Sequence, residues 1–478
     1  MLGHKISTCG GEITIIAMPD SLCYTGNTSS DDGNHKCFVL EATMQQPLTS
    51  VQLSDARPPE APQLPPRPRN IEETGLSLSY IADMMLRALY LIGEMSGQQM
   101  VDLLHLPYDN VIDQGIAYLR REQMCEIKGS GGIGEKAYRY QATTKGTERA
   151  KEIGERTQYL GPAPVPLEIY SKMMKLHTTQ GLIVNEDAIR QAFAHLVIGD
   201  GLLQQLGPAI NSGRSIFLFG HAGNGKTSIA EAVAALMSDT IAIPHAVIID
   251  GQVIRVFDPI HHQDVPLQPG QEFVYDRRWV LSKRPIVIAG GELNMDSLDL
   301  TYDEYSKYYE APLQMKANGG LFLIDDFGRQ QMRPRELLNR WIVPLEKRQD
   351  YLTLHTGKKI EVPFDQLIIF STNIEPKQLV DEAFLRRIRY KVEVGNPTPP
   401  EYREIMRRIC KAKSVPYSDD GLRYLLEHEY PKRNIEIRAC HPRDLIDQLI
   451  DIAHFTRTQP TMSRELLTAA CKSYFVEM

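Results

Sequence analysis

The sequence predicts an α/β protein with a parallel sheet flanked by helices, and three short apolar runs carry this prediction. Residues 215–219 form a run that leads directly into a glycine-rich loop, and a helical pattern over 228–237 follows the loop. The runs 321–324 and 367–370 suit strands that are buried on both faces, and each is followed by polar residues. Because an open α/β sheet binds its ligand at the carboxyl ends of neighbouring strands, the three runs predict one shared site.

The glycine-rich loop fits the pattern G-x-x-x-x-G-K-[ST] over residues 220–227. Its glycines allow successive backbone N–H groups to turn toward an anion, and the following helix adds the positive end of its dipole. Lys226 supplies a charge for the β- and γ-phosphates, and the hydroxyl of Thr227 can ligate Mg²⁺. The loop therefore predicts binding of a nucleoside triphosphate with Mg²⁺. The predicted nucleotide-binding residues are Gly220, Gly223, Asn224, Gly225, Lys226, Thr227 and Ser228.

Two carboxylates, Asp325 and Asp326, follow the run 321–324. A P-loop needs an acid at the end of a neighbouring strand to hold the metal, and Asp325 is the candidate for this role beside Thr227. Asp326 is the candidate base or water-positioning residue. Asn373 follows the third run and is expected to place its amide beside the γ-phosphate. Because turns favour Asn, an ordinary turn residue is the alternative for Asn373.

The order of these motifs resembles the core of the AAA+ ATPases. After Asn373, residues 381–388 lead into a last apolar strand over 390–394. The resemblance implies hydrolysis of ATP, with ATP and Mg²⁺ bound at the P-loop, and assembly into a homo-oligomeric ring, expected to be a hexamer. It also implies a helical lid after the core. Helical apolar spacing does recur in four later segments: 401–412, 418–428, 442–457 and 461–476.

The resemblance also assigns roles to individual residues. Asn373 corresponds to sensor 1, and Arg443, near the start of the third lid helix, corresponds to sensor 2. Arg386 or Arg387 corresponds to the arginine finger, whose fixed charge stabilises the transition state on a neighbouring subunit's nucleotide. The sequence does not choose between these two arginines. A basic helix end that binds last-turn carbonyl groups is the alternative for both.

Two features depart from the usual AAA+ pattern. The second acid is Asp326, where the family usually has Glu, although aspartate pairs occur in replication-initiator and transposition-helper ATPases. The interval between the P-loop and the acid pair is also long, which predicts an insert over about 258–319. The insert ends in a tyrosine-rich stretch. Tyr308 and Tyr309 are candidates for gripping a substrate in a central pore, and a packed helix face is the alternative.

A hairpin is predicted just before the strand that leads to Asn373. Residues 351–355 and 359–362 are strand-like and flank a three-residue loop that contains Gly357. One large branch of the AAA+ proteins carries a pre-sensor hairpin at this place. That branch includes unfoldases, helicases and MoxR-type chaperones.

Composition and patterning divide the chain into four parts. Residues 1–70 predict a poorly ordered tail that ends in a proline-rich linker, and residues 71–157 predict a small winged-helix domain. The P-loop core is predicted over 158–395 and the lid over 396–478. The loop at 129–134 spells G-x-G-x-x-G, but it joins two strands where a dinucleotide fold requires a helix, so we interpret it as the wing.

The charge of the chain bears on its partners. The net charge is −7, and residues 96–157 contain nine basic and nine acidic residues. Because phosphate contacts dominate affinity for DNA, a neutral module is poor support for DNA binding. We therefore favour a chaperone-like remodelling ATPase that acts on a protein client. A DNA-associated ATPase, such as a helicase loader, transposition helper or regulator, is the alternative.

No apolar stretch approaches the roughly 20 residues of a membrane span. The seven cysteines, an odd number spread along the chain, agree with a reducing compartment. A cytoplasmic protein is therefore expected.

Overall fold

The computed structural model describes three short strands near the N-terminus and most of the chain from Leu64 onward. The described residues are 4–8, 11–18 and 21–26, and 64–475 without 133, 182, 268–269, 271–273 and 380–381. The N-terminal strands pair antiparallel in chain order; they are β1 (His4–Thr8), β2 (Gly11–Met18) and β3 (Ser21–Gly26). The sequence predicted a poorly ordered tail in this part. Residues 27–63 of that predicted tail lie outside the described residues.

Residues 71–157 form five helices and a three-stranded antiparallel sheet. The elements are α1 (Ile71–Thr74), α2 (Leu78–Ile92), β4 (Met95–Ser96), α3 (Gly97–Leu104), α4 (Asp113–Arg121), β5 (Cys125–Ser130), β6 (Tyr138–Ala142) and α5 (Thr144–Arg156). A reciprocal capping box between Ser96 and Gln99 starts α3. Helix α4 starts only at Asp113, because Asp109 and Asn110 have non-helical backbone angles. The loop at 129–134 joins the paired strands β5 and β6, as predicted.

The segment from residue 165 to the lid contains both strands and helices. Its first part consists of β7 (Val165–Pro166), α6 (Leu167–Leu176), α7 (Glu186–Ala192), α8 (Asp200–Asn211), β8 (Ile216–Phe219), α9 (Lys226–Ala235), β9 (Thr240–Pro244), β10 (Ala246–Ile249), β11 (Gln252–Arg255), β12 (Trp279–Lys283), β13 (Ile286–Ala289), β14 (Thr301–Asp303), β15 (Tyr308–Glu310) and α10 (Leu313–Lys316). Its second part consists of β16 (Leu321–Ile324), α11 (Pro334–Lys347), β17 (Gln349–Thr353), β18 (Lys359–Pro363), β19 (Leu367–Thr372), α12 (Pro376–Leu379), α13 (Glu382–Leu385) and β20 (Tyr390–Glu393).

The central sheet is parallel, with strand order β13-β16-β19-β8-β20. Successive side chains of a strand point to opposite faces, and both faces are covered here. Ile216 and Leu218 pack in one core with α8 and α9. Phe217 packs on the other face with Phe370 and with Trp341 of α11. The α/β class predicted from the sequence is confirmed, and the buried apolar runs are explained by helices on both sides.

A second sheet has the order β14-β15-β11-β10-β7. Four of its strands and the antiparallel pair β9–β12 lie in the long interval between the P-loop and the acid pair, while β7 precedes the P-loop. The predicted insert range of 258–319 also contains β13. This strand pairs with β16 in the central sheet and buries Val287 and Ala289 there. The added structure is therefore interrupted by one strand of the central sheet.

The tyrosine-rich stretch forms the antiparallel hairpin β14–β15. The alternative interpretation of this stretch as a packed helix face is therefore wrong. Aromatic side chains suit strands, and Tyr302 pairs directly with Tyr309 across the hairpin. Tyr309 is only 1% exposed, and its hydroxyl accepts a hydrogen bond from the backbone N–H of His355 at 2.9 Å. The ring of Tyr308 packs against that of Tyr159, with centroids 5.6 Å apart. The burial of Tyr309 excludes it from gripping a substrate in this conformation.

The predicted pre-sensor hairpin is present as the antiparallel pair β17–β18. It packs against the second sheet, since Leu352 and Ile360 share one core with Val165 and Ile254. A solvent-exposed ion pair between Lys358 and Asp250 lies at its tip. The shared apolar core therefore holds the hairpin against the second sheet.

A buried ion pair beside β12 joins the N-terminal helical part to the added structure. The guanidinium of Arg278 donates to both carboxylate oxygens of Asp276, at 3.0 and 2.7 Å, and the side chains are 2% and 4% exposed. The same guanidinium donates to the backbone oxygen of Thr74 at 2.8 Å. A buried charge must be paired and hydrogen-bonded, and this cluster meets both conditions.

The C-terminal part is helical, as predicted for a lid. Its helices are α14 (Pro399–Ala412), α15 (Asp419–Tyr424), α16 (Tyr430–Arg433), α17 (His441–Phe455) and α18 (Arg464–Tyr474). They share a separate apolar core that includes Tyr402, Leu425 and Leu449. Arg408 of α14 donates to the backbone oxygen of Ala194 at 2.8 Å and so anchors this part to the end of α7. Within the described chain, none of the helices has the length and apolarity needed to cross a membrane.

Asp276→Ala is expected to lower the free energy of unfolding by about 3–5 kcal/mol, because it leaves the Arg278 charge buried without a partner. The matched control is Asp102→Ala, which removes the partly exposed pair with Arg277 and should change stability by less than about 1 kcal/mol. Equilibrium urea unfolding of both variants measures the difference. Equal effects would show that the buried pair does not stabilise the junction.

Candidate functional site: the P-loop and its neighbouring strand ends

The P-loop connects β8 to α9 and requires glycine at defined positions. Gly225 precedes the helix with φ of 80°, a left-handed conformation that other residues rarely adopt. At Gly220 a side chain is excluded by packing, because a Cβ atom there would lie 2.2 Å from the backbone oxygen of Val394. Ser228 lies in the first turn of α9. Backbone conformation at Gly225 and close packing at Gly220 thus explain why the motif has glycine at these positions.

Lys226 is the first residue of α9, and its side chain folds back over the loop. Its Nζ donates to the backbone oxygens of Gly220 and His221, at 2.9 and 3.0 Å, and to Oδ1 of Asn373 at 2.6 Å. Burial lowers the pKa of Lys226, while Asp325 and Asp326 act in the opposite direction. A half-desolvated ammonium group at the mouth of a glycine-rich loop is suited to bind phosphate oxygens.

Thr227 and Asp325 meet beside this ammonium group. The Thr227 hydroxyl donates to Oδ2 of Asp325 at 2.8 Å. Hydroxyl and carboxylate oxygens are ligands that Mg²⁺ accepts, and this cation usually completes its shell with water and substrate phosphate. Among the described residues, no group of three or more His, Cys, Asp or Glu side chains forms a separate metal site. The donor set therefore fits Mg²⁺ bound together with a phosphate ligand.

Asn373 joins the two sides of the site. Its Oδ1 accepts from Lys226, and its Nδ2 donates to Oδ1 of Asp326 at 3.0 Å. Both the oxygen and the nitrogen of its side-chain amide thus make hydrogen bonds to candidate functional side chains. The alternative of an ordinary turn residue does not explain this bridging position.

Asp326 has φ of 48°, in the left-handed region that is unusual for a residue with a side chain. A turn after the strand stabilises this conformation, since the N–H of Arg329 donates to the backbone oxygen of Asp326 at 2.9 Å. Gln330 adds to it, because its Nε2 donates to the backbone oxygen of Asp325 at 2.9 Å and its Oε1 accepts from the N–H of Gly328 at 2.7 Å. Gln330 was not predicted from the sequence, where it lies outside any motif.

The side chain of Asn224 faces the lid, although the sequence placed Asn224 among the nucleotide-binding residues. Its Nδ2 donates to Oδ1 of Asn396 at 2.8 Å, and its Oδ1 accepts from the N–H of Ala439 at 3.3 Å. Next to it, the N–H of Cys440 donates to the backbone oxygen of Gly223 at 2.8 Å. The P-loop is therefore fastened to the lid through residues that no motif identifies.

The three predicted arginines pair with carboxylates. Arg386 pairs with Glu382 at 2.9 Å, and its side chain is 75% exposed. Nε of Arg387 donates to Glu346 of α11 at 2.6 Å. Arg443, in the first turn of α17, pairs with its neighbour Asp444 at 3.1 Å and is 63% exposed. For Arg386 the partner is thus a carboxylate instead of the last-turn carbonyl groups of the alternative.

Comparisons with known proteins give one partial family match and distant structural similarities. A family model described as "Domain of unknown function (DUF8689)" matches residues 398–473. No curated protein matches the chain. NtrX from Brucella abortus in complex with ADP is similar at 16% identity and a TM-score of 0.37, with 60% of this chain and 58% of that chain covered. The Thermotoga maritima RuvB Holliday junction branch migration motor is similar at 14% identity and a TM-score of 0.34, with 59% of this chain and 71% of that chain covered.

These similarities concern the fold alone. The chain spans less than two thirds of the length of NtrX.

Lys226→Ala is expected to abolish nucleotide binding while the fold is retained, since it removes the charge that faces the loop and leaves the apolar cores intact. Calorimetric titration with ATP measures the binding, and circular dichroism checks the fold. Lys172→Ala, on α6 and away from the loop, is the control for removal of a lysine. Wild-type affinity in a folded Lys226→Ala protein would contradict the assignment of the P-loop.

Proposed function

We propose that this protein is an AAA+ ATPase that hydrolyses ATP to ADP and phosphate. The observation that carries the proposal is the bridge from Lys226 through Asn373 to Asp326. This bridge joins the residue that binds phosphate to the residue proposed to position the attacking water. Strand ends that converge in this way are suited to phosphoryl transfer, in which catalysis consists of positioning and of stabilising charge.

Each residue of the site has a defined part in the proposed reaction. Lys226 binds the β- and γ-phosphates, while Thr227 and Asp325 hold Mg²⁺, which neutralises phosphate charge when it is bound. Asp326 orients the attacking water and accepts its proton. Asn373 fixes the direction of the Asp326 carboxylate and contacts the γ-phosphate.

Assembly into a ring is part of the proposal. An arginine finger has a function only where a neighbouring subunit's nucleotide lies within its reach. Arg386 is the more exposed of the two candidates, and its pair with Glu382 is solvent-exposed on both sides. Pairs of this kind are worth little, so the guanidinium can leave Glu382 for a phosphate at low cost. Repetition of one head-to-tail interface closes a ring, and a hexamer is the expected size.

A protein client is favoured over DNA, and the N-terminal part supports this choice. We interpret residues 71–157 as a winged-helix module in which β5 and β6 form the wing. Two of its exposed lysines pair with acids: Lys136 pairs with Asp109 at 3.4 Å, and Lys128 pairs with Glu126 at 3.1 Å. Basic groups that already have acidic partners contribute less to phosphate binding, which dominates affinity for DNA.

We do not expect Tyr308 and Tyr309 to grip a client in a central pore. Tyr309 is buried within the second sheet, and the hairpin β17–β18 packs against that sheet. We therefore place client contact on the N-terminal module, which Arg278 contacts through its hydrogen bond to the backbone oxygen of Thr74. A DNA-associated ATPase remains the second candidate. Stimulation of hydrolysis by unfolded protein, and not by single-stranded or duplex DNA, supports the first candidate, and the reverse result supports the second.

Asp326→Asn is expected to retain ATP binding and to lose turnover by ~10²-fold or more, because it removes the basic carboxylate and leaves the phosphate-binding loop unchanged. Steady-state phosphate release and calorimetric titration separate the two effects. Turnover near that of the wild type would assign the role to another acid. Glu375, which is exposed beyond Asn373, and Glu292 would be tested next.

Combined substitution of Arg386→Ala and Arg387→Ala should leave ATP binding unchanged and abolish hydrolysis. Mixing this double variant with Lys226→Ala should restore part of the activity, because each protein supplies the half-site that the other lacks. Specific activity of the wild type should also rise with protein concentration until the ring is complete. Flat activity from nanomolar to micromolar protein, together with an inactive mixture, would contradict the shared site.

A further inference from the structure

We propose that Arg438, and not Arg443, is the lid arginine that contacts the phosphates of the bound nucleotide. The inference rests on the proposed function and refines it. The AAA+ resemblance alone assigns this role to Arg443, which lies in the first turn of α17. The structure gives the two arginines different surroundings.

The backbone next to Arg438 is the part of the lid that contacts the P-loop. The following residue, Ala439, donates to Oδ1 of Asn224 at 3.3 Å. The residue after that, Cys440, donates to the backbone oxygen of Gly223 at 2.8 Å. Packing there is close, since a Cβ atom on Gly223 would lie 2.4 Å from Sγ of Cys440. Arg438 therefore directly precedes the lid residues that contact the predicted phosphate-binding loop.

The guanidinium of Arg438 lacks a partner in the described part of the chain. Its Nε is buried without a hydrogen bond. The neighbouring Arg433 also has a buried Nε without a partner, but its charge is paired with Glu429. A partly buried cation with no counter-ion is unfavourable, and a structure retains such a group where an anionic ligand completes it. Arg443, by contrast, already pairs with Asp444, which raises its pKa.

The local field adds to this preference for an anion. Burial lowers the pKa of His441 to about 4, and the nearby positive charge of Arg438 contributes to this shift. His441 is therefore neutral at physiological pH and starts α17. Arg438 lies shortly before the start of α17 at His441, so its positive charge and the positive end of the helix dipole add at this end of the helix. A planar guanidinium with five donors binds phosphate oxygens in a fixed geometry, which a lysine cannot reproduce.

A phosphate contact from Arg438 would make the orientation of the lid depend on the nucleotide. Arg438 belongs to the lid, while the P-loop belongs to the central sheet. A ligand shifts a conformational equilibrium only by its difference in affinity for the two states, and this arginine can supply such a difference. The hydrogen bonds of Asn224 and Gly223 then act as the hinge contacts between the two parts.

The test compares three Arg438 variants by calorimetric titration with ATP and with ADP in the presence of Mg²⁺. Arg438→Ala and Arg438→Gln should weaken ATP binding about 10-fold or more, because each loses a charge-assisted hydrogen bond. Arg438→Lys should retain more affinity than Arg438→Gln, since it keeps the charge. The matched control is Lys432→Ala, which removes an exposed charge from the same segment and should leave the affinity within about 2-fold of the wild type.

Several outcomes would overturn the inference. Wild-type affinity in Arg438→Ala would do so, and so would a loss in Arg443→Ala that exceeds the loss in Arg438→Ala. Near-normal binding in Arg438→Gln with a loss in Arg438→Ala would mean that the side chain acts through packing. Failure of the wild-type protein to bind ATP would instead contradict the proposed function, so the two failures are distinguishable.

Discussion

The contacts of the Lys226 ammonium group connect the separate parts of the candidate site. Its Nζ is bound by two loop carbonyl oxygens and by Oδ1 of Asn373. Because the Asn373 amide also holds Asp326, a charge at the start of α9 is connected to a carboxylate at the end of β16. The parallel arrangement of β8, β19 and β16 makes this connection possible, since it brings the carboxyl ends of neighbouring strands to one edge.

The P-loop is constrained from the lid as well as from the sheet. Asn224 bonds to two lid-side residues, and Gly223 accepts from Cys440. A loop held on both sides is preorganised for an anion, because fewer rotations must be fixed when the ligand binds. The same contacts make the loop sensitive to movement of the lid. The P-loop and the C-terminal helical part are therefore joined by direct hydrogen bonds.

The added structure between the P-loop and the acid pair changes the expected use of the fold. It covers the hairpin β17–β18 and buries Tyr309 against His355. It also binds the N-terminal part through the cluster of Arg278 and Asp276. Tyr309, which the AAA+ resemblance makes a candidate for gripping a substrate, is thus part of a packed core here. Client recognition is then expected at the exposed surface of the N-terminal part.

The sequence by itself determined the P-loop, the acid pair, Asn373, the hairpin and the helices of the lid. These depend on local spacing and on apolar periodicity, which neighbouring residues in the chain express directly. Tertiary structure alone decided that β13 belongs to the central sheet, that Asn224 faces the lid and that Tyr309 is buried. It also placed the side chain of Gln330 in hydrogen bonds to the backbone oxygen of Asp325 and the N–H of Gly328. Each of these features depends on residues far apart in the chain or on the path of a turn, and a pattern of residue types does not specify which distant partner is met.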